Sequence, residues 1–343
     1  MLFATFRLIS KMTVRKINFG AGPAKIPEEV KMSHRSKEFA AVLQETKQLL
    51  RQLMGVPENY EILFMQGGGT GQFAAVPMNL KGDHEFADYI VTGAWSCKAA
   101  DEARKYIRVK KVFTPSKPYT TIPDQKLWDH DKVNCSRHRI SQSFSFDDSK
   151  IFHCRILFIF QHGVVFGGTQ KNLGAAGLTI VIVRKDLIGK QQQLTPAILS
   201  YKEMHDNDSL YNTPAVYGMY ITNLVLKWIR DIGGVDAIFE MNKKKAGMLY
   251  DVIDNSNGFY SCPVDKACRS YMNICFRVQQ GNDAAEAEFL KGAADRGMIS
   301  LKGHRSVGGI RASLYNAVTV EETALLVDWM REFMASVYSS NVL

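Results

Sequence analysis

Two short apolar runs rich in β-branched residues enclose a glycine-rich loop, and this arrangement constrains the fold most strongly. The runs are residues 164–166 and 178–183, and each is too short and too branched to favour a helix. Both are therefore predicted as buried strands. The loop between them is rich in glycine, so its backbone is able to approach a bound molecule closely.

Lys171 lies within this loop, with small residues packed on both sides of it. A flexible amine delivered from such a loop suits Schiff-base chemistry, because a desolvated lysine loses its proton readily and attacks a carbonyl. A surface lysine in a glycine-rich hairpin is the alternative, because such loops are common. The segment alone leaves both interpretations open.

Strand-like and helix-like patterns alternate along the chain, which indicates an α/β protein. Helical stripes are predicted over residues 38–53, 97–106, 216–232, 284–294 and 321–336. Short apolar runs predict strands over residues 60–65, 89–92, 272–278 and 310–315. A chain of 343 residues has room for a large domain and a smaller one, each with its own core.

The net charge of +9 suits an anionic small substrate as well as nucleic acid, so charge alone does not decide the partner. Lysine and arginine are spread along the chain, and the sequence shows no zinc-finger spacing, basic arm or aromatic RNA-binding pattern. Nucleic-acid binding is therefore disfavoured. The apolar run 156–160 is far too short for a membrane span, so no membrane association is expected.

The cysteine pattern indicates a reducing compartment. The six cysteines form neither a Cys-x-x-Cys pair nor a regular framework, which argues for free thiols in the cytosol. Residues 1–16 carry basic residues and no acid, which weakly resembles a mitochondrial presequence. Met12 is an alternative start. The expected location is cytoplasmic.

The stretch Gly67–Gly71 follows the predicted strand 60–65 and precedes a helical pattern, an order of elements that binds phosphate. Unpaired N–H groups and the positive end of the helix dipole face the anion, and glycines let the backbone approach it. The stretch is not a Walker loop, because the Gly-Lys-Ser/Thr ending is missing. A tight structural turn is the alternative.

Two further features are ambiguous when taken singly. Trp95 lies just past a strand end, where open α/β sheets place ligands, and an indole there is able to stack on a planar heterocycle. A core tryptophan is the commoner outcome. Asn212 and Thr213 offer an amide and a hydroxyl for a phosphate oxygen, but an ordinary helix N-cap explains them as well.

Two clusters pair a histidine with an arginine among small polar residues, and a further arginine follows in a predicted strand. The residues concerned are His34, Arg35, His304, Arg305 and Arg311. Guanidinium groups bind carboxylate and phosphate in a bidentate way, so converging arginines suggest a substrate with two or three negative charges. Solvated surface charge is the alternative. No metal-binding motif is present in the sequence, so no metal site is predicted.

Taken together, these pieces resemble the phosphoserine aminotransferases, a class V group of the fold-type I pyridoxal-phosphate enzymes. The segments that carry the resemblance are residues 18–24, 32–36, 66–73, 91–96, 167–172, 209–214 and 301–317. The last of these, Leu-Lys-Gly-His-Arg-Ser-Val-Gly-Gly-Ile-Arg-Ala-Ser-Leu-Tyr-Asn-Ala, is highly specific. The resemblance covers most of residues 16–338.

The resemblance also implies the domain organisation. Residues 1–15 would be a leader or upstream extension, and residues 16–245 a large cofactor-binding domain. That domain would contain a mainly parallel sheet of the seven-stranded type, incomplete here because of residues 132–160. Residues 246–343 would form a small α+β domain.

The implied reaction moves an amino group from glutamate to 3-phosphohydroxypyruvate in serine biosynthesis, with pyridoxal 5′-phosphate as cofactor. Lys171 would bind the cofactor covalently and shuttle a proton as general acid and base. Arg311 would clamp the substrate α-carboxylate. The substrate phosphate would be received by His34, Arg35, His304 and Arg305.

The implied cofactor contacts are spread over several loops. The residues other than Lys171 are Gly69, Thr70, Trp95, Gln170, Asn212 and Thr213. Trp95 would stack on the pyridine ring, and the others would lie at the cofactor phosphate. Asn212 and Thr213 would reach that phosphate from the neighbouring subunit, so the resemblance implies a homodimer with shared active sites.

Residues 132–160 depart from the family pattern. The stretch mixes basic, serine-rich and aromatic pieces with no clean period, a local conflict that signals poor foldability. In the family this region supplies a threonine contact and an aspartate that keeps the pyridine nitrogen protonated. Asp147 and Asp148 are the only acids in the stretch, and neither matches the family context. No residue is therefore assigned this role. A second gap falls between Val30 and Lys31, where the family has a helix.

These departures support a second hypothesis, a truncated, catalytically impaired variant or gene-model artefact of the same family that does not bind the cofactor productively. Loss of central strands would open the sheet and leave backbone groups unpaired. A phosphate- or nucleotide-binding module built on Gly67–Gly71 is a weaker hypothesis, because it leaves Lys171 and the Arg311 region unexplained.

Overall fold

A computed structural model of the chain describes residues 17–18, 36–114, 117, 119–129, 162–303 and 308–340. The structural statements that follow concern these residues. The segment 132–160 and four of the predicted substrate-binding residues lie outside them. Those four residues are His34, Arg35, His304 and Arg305.

Strands and helices alternate through the described residues. The strands are β1 (Ile17–Asn18), β2 (Tyr60–Met65), β3 (Phe86–Tyr89), β4 (Arg108–Lys111), β5 (Val164–Gly168), β6 (Thr179–Arg184), β7 (Tyr260–Ser261), β8 (Asn273–Val278), β9 (Met298–Ile299) and β10 (Ile310–Ser313). The helices are α1 (Lys37–Met54), α2 (Gly68–Leu80), α3 (Ala94–Ala103), α4 (Tyr201–Asp206), α5 (Val216–Asp231), α6 (Gly234–Asp254), α7 (Asp283–Asp295) and α8 (Val320–Ser340). This order confirms the α/β class that the sequence predicts.

The sheet of β2, β6 and β5 explains why the strands around the lysine loop are apolar on both faces. β6 lies in the middle and pairs antiparallel with β2 and with β5. Ile180 and Ile182 enter an apolar cluster with α1 and α5, whereas Val181 and Val183 enter one with α2 and α3. Because successive side chains of a strand point to opposite faces, a strand covered by helices on both sides needs a continuous apolar run.

A separate two-stranded sheet departs in detail from the sequence-based prediction. β3 and β4 pair in parallel, and the basic sequence of β4 gave no strand signal. β3 and α3 each begin three residues before the predicted bounds 89–92 and 97–106. The hydroxyl of Ser96 accepts hydrogen bonds from the Thr92 and Gly93 amides, both at 3.0 Å, so the chain turns into the helix early.

The C-terminal part of the described chain has its own apolar core. β8 lies between β7 and β10 and pairs antiparallel with both. Buried apolar side chains drawn from residues 246–333 form one cluster. α6 joins it to the preceding core, because Ile238 near its start packs with α1 whereas Leu249 near its end packs in the C-terminal cluster. This distribution supports a division near residues 245–246, and the exact domain bounds stay a prediction.

The long helices carry charged residues along their length. α6 and α8 contain 21 residues each and include acidic side chains in their first turns. Across the described part of the chain, no helix combines the length and apolarity that crossing a membrane requires.

Replacing Phe289 with alanine tests the C-terminal core. Phe289 is fully buried and its ring contacts those of Tyr260, Phe276 and Phe333. We expect Phe289→Ala to lower the free energy of unfolding by about 3–5 kcal/mol, because a buried ring is lost and a cavity remains. Urea unfolding followed by circular dichroism measures the change. Leu194→Ala is the control, since Leu194 is 86% exposed, and equal effects of the two variants would contradict the described packing.

Candidate active site

The glycine-rich stretch and the lysine loop leave the same end of the central sheet. In the strand register, Met65 at the end of β2 and Gly168 at the end of β5 both lie opposite Thr179 at the start of β6. The Gly68 amide donates a hydrogen bond of 2.8 Å to the Thr179 hydroxyl, which ties the start of α2 to this end of the sheet. The two segments that the sequence analysis singled out separately are therefore neighbours.

The N-terminus of α2 is open to an anion. Gly67 and Gly68 have left-handed φ angles of 90° and 61°, and Gly67 has no side chain to cap the helix. The first-turn amides of a helix have no intrahelical acceptor, and those of Gly69 and Thr70 belong to this turn. A Cβ added to Gly68 or Gly69 would meet no atom within 4 Å, so open space adjoins the backbone. This geometry suits a phosphate group.

The lysine loop is a compact turn between β5 and β6, as the sequence predicts. Lys171 is partly exposed, whereas its neighbours Thr169 and Asn172 are buried. The Thr169 hydroxyl donates a hydrogen bond of 2.6 Å to the Ala175 carbonyl and so closes the loop across its base. The buried residues Thr169 and Asn172 thus hold the backbone on both sides of the partly exposed lysine.

Gln170 lies beside Lys171, and its side chain folds back against Gly168. A Cβ at residue 168 would overlap the Gln170 carboxamide, so glycine at this strand end leaves space for that side chain. Gln170 is partly exposed and lies in the turn that begins where β5 ends. The structure therefore puts it at the same end of the sheet as the glycine-rich stretch.

Trp95 is 62% exposed at the start of α3, so the alternative of a core tryptophan is wrong. The Lys98 ammonium lies 4.5 Å from the centre of the indole ring. α3 packs against α2 and β5 through a shared apolar cluster, which anchors the helix while its first turn stays open. An exposed indole at a helix start is available for stacking on a planar ligand.

Asn212 and Thr213 are exposed in the loop before α5. The Gln66 side-chain amide donates a hydrogen bond of 2.8 Å to the Thr213 carbonyl of the same chain. This bond joins their loop to the residue that precedes the glycine-rich stretch. Their reach toward a neighbouring subunit stays a prediction.

Arg311 lies on β10 opposite Cys275 of β8. The Arg311 Nε is buried and has no hydrogen-bond partner within the described parts of the chain, so its guanidinium retains capacity for an anion. Burial raises the pKa of the Cys275 thiol, although the positive charge of Arg311 opposes this rise. The predicted substrate-binding residues His304 and Arg305 lie outside the described residues.

One hydrogen-bonded link between the lysine loop and the C-terminal part was missed from the sequence. The Asn172 side-chain oxygen accepts a hydrogen bond of 3.0 Å from the Asn316 amide, which follows β10. The Asn316 side-chain oxygen in turn accepts a hydrogen bond of 2.9 Å from the side-chain amide of Asn242 in α6. Residues adjacent to Lys171 are thus held by the segment that begins with Arg311.

Lys245 reinforces this link from α6. Its side chain is fully buried, and its ammonium donates to the carbonyls of Leu314, Tyr315 and Val318 at 3.2, 3.0 and 2.8 Å. Burial lowers the pKa of Lys245 to about 7, and the negative charge of Glu322 opposes this shift. A lysine on the apolar stripe of a helix was the sequence signal for such a buried role.

The residues present fit pyridoxal phosphate. An uncapped helix start with open space beside Gly69 accepts a phosphate, and the exposed indole of Trp95 offers a face for the heterocycle. Lys171 is partly exposed in the loop that leaves the same end of the sheet, and the Arg311 Nε lacks a partner among the described residues. The family resemblance places the partner of the pyridine nitrogen in the region of residues 132–160, where no residue of this chain is assigned that role. This region lies outside the described residues.

Comparison with known proteins identifies the family. The sequence profile described as aminotransferase class-V matches residues 24–127 and 159–326. The stretch between the two matched parts contains most of residues 132–160, which the sequence analysis found aberrant. The chain belongs to the class V aminotransferase family.

The relatives within this family are phosphoserine aminotransferases. A probable phosphoserine aminotransferase of Caenorhabditis elegans is 62% identical, covering 93% of this chain and 97% of the relative. The Drosophila melanogaster phosphoserine aminotransferase is 46% identical, and the match covers 92% of this chain and 98% of the relative. These relatives confirm the resemblance that the sequence motifs indicated.

Solved structures confirm the fold-type I architecture. The phosphoserine aminotransferase of Bacillus circulans subsp. alkalophilus superposes with a TM-score of 0.84 and 38% identity, covering 94% of this chain and 99% of that one. A phosphoserine aminotransferase from Trichomonas vaginalis, solved with bound pyridoxal phosphate, gives a TM-score of 0.82 and 32% identity. The match covers 92% of this chain and 100% of that one.

Removal of the Asn172 side chain tests the link to the C-terminal segment. We expect Asn172→Ala to lower the free energy of unfolding by about 1–3 kcal/mol, because the buried Asn316 amide loses its acceptor. Urea unfolding measures this loss. Asn255→Ala is the control, since Asn255 is exposed and its side chain bonds only within its own helix end, to the Asp251 carbonyl. Equal stabilities of the Asn172 variant and the parent would contradict the link.

The pKa of Lys245 predicts how stability changes with pH. The unfolded chain keeps the lysine proton up to the usual pKa of 10.5, whereas the folded chain loses it near 7. Unfolding therefore takes up a proton between these values, and the free energy of unfolding rises with pH in this window. From about pH 7 to about pH 9 we expect the parent to gain up to about 2.7 kcal/mol relative to Lys245→Met.

Urea unfolding of both proteins across this pH range measures the difference, which isolates Lys245 from other titrating groups. A difference that stays constant with pH would show that the three carbonyl oxygens keep the ammonium charged. That outcome would reject the lowered pKa while leaving the hydrogen bonds intact.

Proposed function

We propose that this chain is a phosphoserine aminotransferase that uses pyridoxal 5′-phosphate. It transfers an amino group between glutamate and 3-phosphohydroxypyruvate, giving O-phosphoserine and 2-oxoglutarate. The observation that carries this proposal is the shared end of the central sheet, where the lysine loop and the open start of α2 emerge, one on each side of β6. The identities to the phosphoserine aminotransferases of worm and fly support the choice of substrates.

The cofactor is held by backbone and ring contacts. The first-turn amides at Gly69 and Thr70 bind its phosphate, which the helix dipole also favours. Gln170, held against Gly168, lies beside the same anion. The exposed face of Trp95 stacks on the pyridine ring and shields it from water.

Lys171 carries the proton transfer. When bound, the cofactor supplies an electron sink for the negative charge that develops at the substrate α-carbon. The Lys171 Nζ accepts the proton that leaves this carbon and later returns one, so it acts first as base and then as acid. Its flanking residue Asn172 keeps the loop against the Asn316 segment during both steps.

Arg311 binds the α-carboxylate common to both substrates. Arg311 lies on β10 opposite Cys275 of β8, and its Nε has no hydrogen-bond partner among the described residues. A bidentate arginine–carboxylate pair fixes the orientation of the α-carbon. His34, Arg35, His304 and Arg305 are proposed to receive the substrate phosphate, following the family resemblance.

The working form is proposed to be a homodimer with shared active sites. Asn212 and Thr213 are exposed, so their side chains are available to a second subunit. In this arrangement they reach the cofactor phosphate of the neighbouring subunit. The cytoplasmic location stays a prediction, as does the alternative of a mitochondrial presequence at residues 1–16.

The alternative of an impaired variant is not favoured by the relatives. The similarity to the worm protein extends over 93% of this chain, so the motifs on both sides of residues 132–160 belong to one continuous relationship. The region of the missing aspartate lies outside the described residues. Cofactor binding by this chain is the measurement that separates the two hypotheses.

Visible absorbance of the purified chain tests the proposal. On addition of pyridoxal phosphate, we expect an absorbance band that requires Lys171 and that changes on addition of glutamate, because the first half of the transfer needs no second substrate. Lys171→Ala removes the reacting amine and is the control. Production of 2-oxoglutarate with 3-phosphohydroxypyruvate as acceptor measures the full reaction.

The outcomes discriminate between the two hypotheses. A Lys171-dependent band without turnover would indicate a chain that binds the cofactor but is catalytically impaired. Absence of any Lys171-dependent band in the parent would reject the proposed function. It would instead support a damaged or misassembled member of the family.

A further inference from the structure

Two consecutive non-glycine residues adopt left-handed backbone conformations just before the Asn212–Thr213 loop. Asp208 has a φ of 48° and Ser209 a φ of 65°. This region is unfavourable for residues that carry a Cβ, although Asp tolerates it better than most. Such a pair persists only where surrounding contacts enforce it, and strain of this kind points to a functional constraint.

The Asp208 carboxylate is held by two residues of α1. The Lys47 ammonium lies 2.6 Å from its Oδ1, and the Gln44 amide donates a hydrogen bond of 2.8 Å to its Oδ2. Gln44 and Lys47 are three residues apart on a helix and so share one face. Both carboxylate oxygens are thereby fixed from the same side.

Ser209 is held by the central sheet. Its hydroxyl accepts a hydrogen bond of 3.0 Å from the Phe64 amide of β2, and the side chain is buried. Its own amide donates one of 2.7 Å to the Met204 carbonyl at α4. The edge of β2 that does not pair with β6 therefore anchors the second strained residue.

The loop that follows is exposed at its tip and held at its far end. Tyr211, Asn212 and Thr213 are exposed, while Gln66 holds the Thr213 carbonyl at 2.8 Å. The anchors at Ser209 and Thr213 both come from β2 or the residue that follows it. A short exposed loop clamped at both ends to one strand presents its side chains in a fixed direction.

Lys47 is also paired with a second carboxylate. Its ammonium lies 3.1 Å from Oε1 of Glu61, and both side chains are nearly buried. Burial raises the pKa of Glu61, but the charge and hydrogen bond of Lys47 outweigh it, so that pKa lies below its usual value. Without Lys47, the Glu61 and Asp208 carboxylates would lose the cation between them, and their repulsion would act on the more exposed Asp208.

We propose that Lys47 is a positioning residue that, through Asp208, fixes the Asn212–Thr213 loop for the phosphate group of the cofactor. Lys47 does not touch the cofactor. The inference rests on the proposed function, because it takes from there the role of Asn212 and Thr213. It adds a reason for the two left-handed residues, which fix the direction in which the loop leaves β2.

Pyridoxal phosphate binding by Lys47→Met and Lys47→Arg tests the proposal. We expect at least a tenfold rise in Kd for Lys47→Met, because the methionine cannot hold Asp208, and a smaller rise for Lys47→Arg, which keeps the charge. At saturating cofactor, kcat should stay within about twofold of the parent for both, because Lys171 and Arg311 are untouched. Lys37→Met is the control, since Lys37 is an exposed lysine of the same helix.

Hydrogen exchange of the cofactor-free chain gives a readout that does not depend on activity. Amides of residues 207–213 should exchange faster in Lys47→Met, while those of β6 should keep the rate of the parent. A uniform acceleration in both regions would indicate general destabilisation and overturn the positioning role. If Lys47→Met does not fold, the same two measurements on Asp208→Asn test the proposal. This variant removes the carboxylate charge that Lys47 holds, and asparagine tolerates the left-handed backbone.

The failures of this proposal and of the proposed function are distinguishable. A parent that binds pyridoxal phosphate through Lys171, together with unchanged binding in Lys47→Met or Asp208→Asn, rejects only the positioning role. If Kd rises as much in Lys47→Arg as in Lys47→Met, a role for the positive charge is rejected. A parent without Lys171-dependent binding rejects the proposed function, and this inference fails with it.

Discussion

The position of β6 between β2 and β5 is the constraint on which the candidate site depends. Because β6 runs antiparallel to both neighbours, its first residue, Thr179, lies opposite the last residues of both. The glycine-rich stretch and the lysine loop therefore leave the same end of the sheet. Both faces of β6 are apolar, and helices cover each of them.

A second constraint joins the lysine loop to the C-terminal segment. The Asn172–Asn316 hydrogen bond spans 144 residues of sequence, and Lys245 holds the same segment by three carbonyls. A buried ammonium needs a full set of acceptors, so this turn has little freedom to move without losing them. The lysine loop and the segment that follows Arg311 are therefore held by a common polar network.

Local patterns in the sequence predicted the parts of the site that depend on neighbours in the chain. The strands around Lys171 and the glycine-rich start of α2 were recognisable because apolar runs and glycines act within a few residues. The partnership of Asn172 and Asn316 was not, because two polar side chains far apart in sequence carry no mark of their contact. β4 was missed for a different reason: its basic sequence is that of a solvent-facing strand, so it lacks the apolar signal.

The exposure of Trp95 has a thermodynamic consequence. The Trp95 indole is 62% exposed, so the proposed stacking on the cofactor would remove apolar surface from water. Burial of apolar surface gives association a negative heat-capacity change. As the temperature rises, the enthalpy of cofactor binding therefore becomes more favourable and its entropy less so. The affinity then changes far less with temperature than either component does.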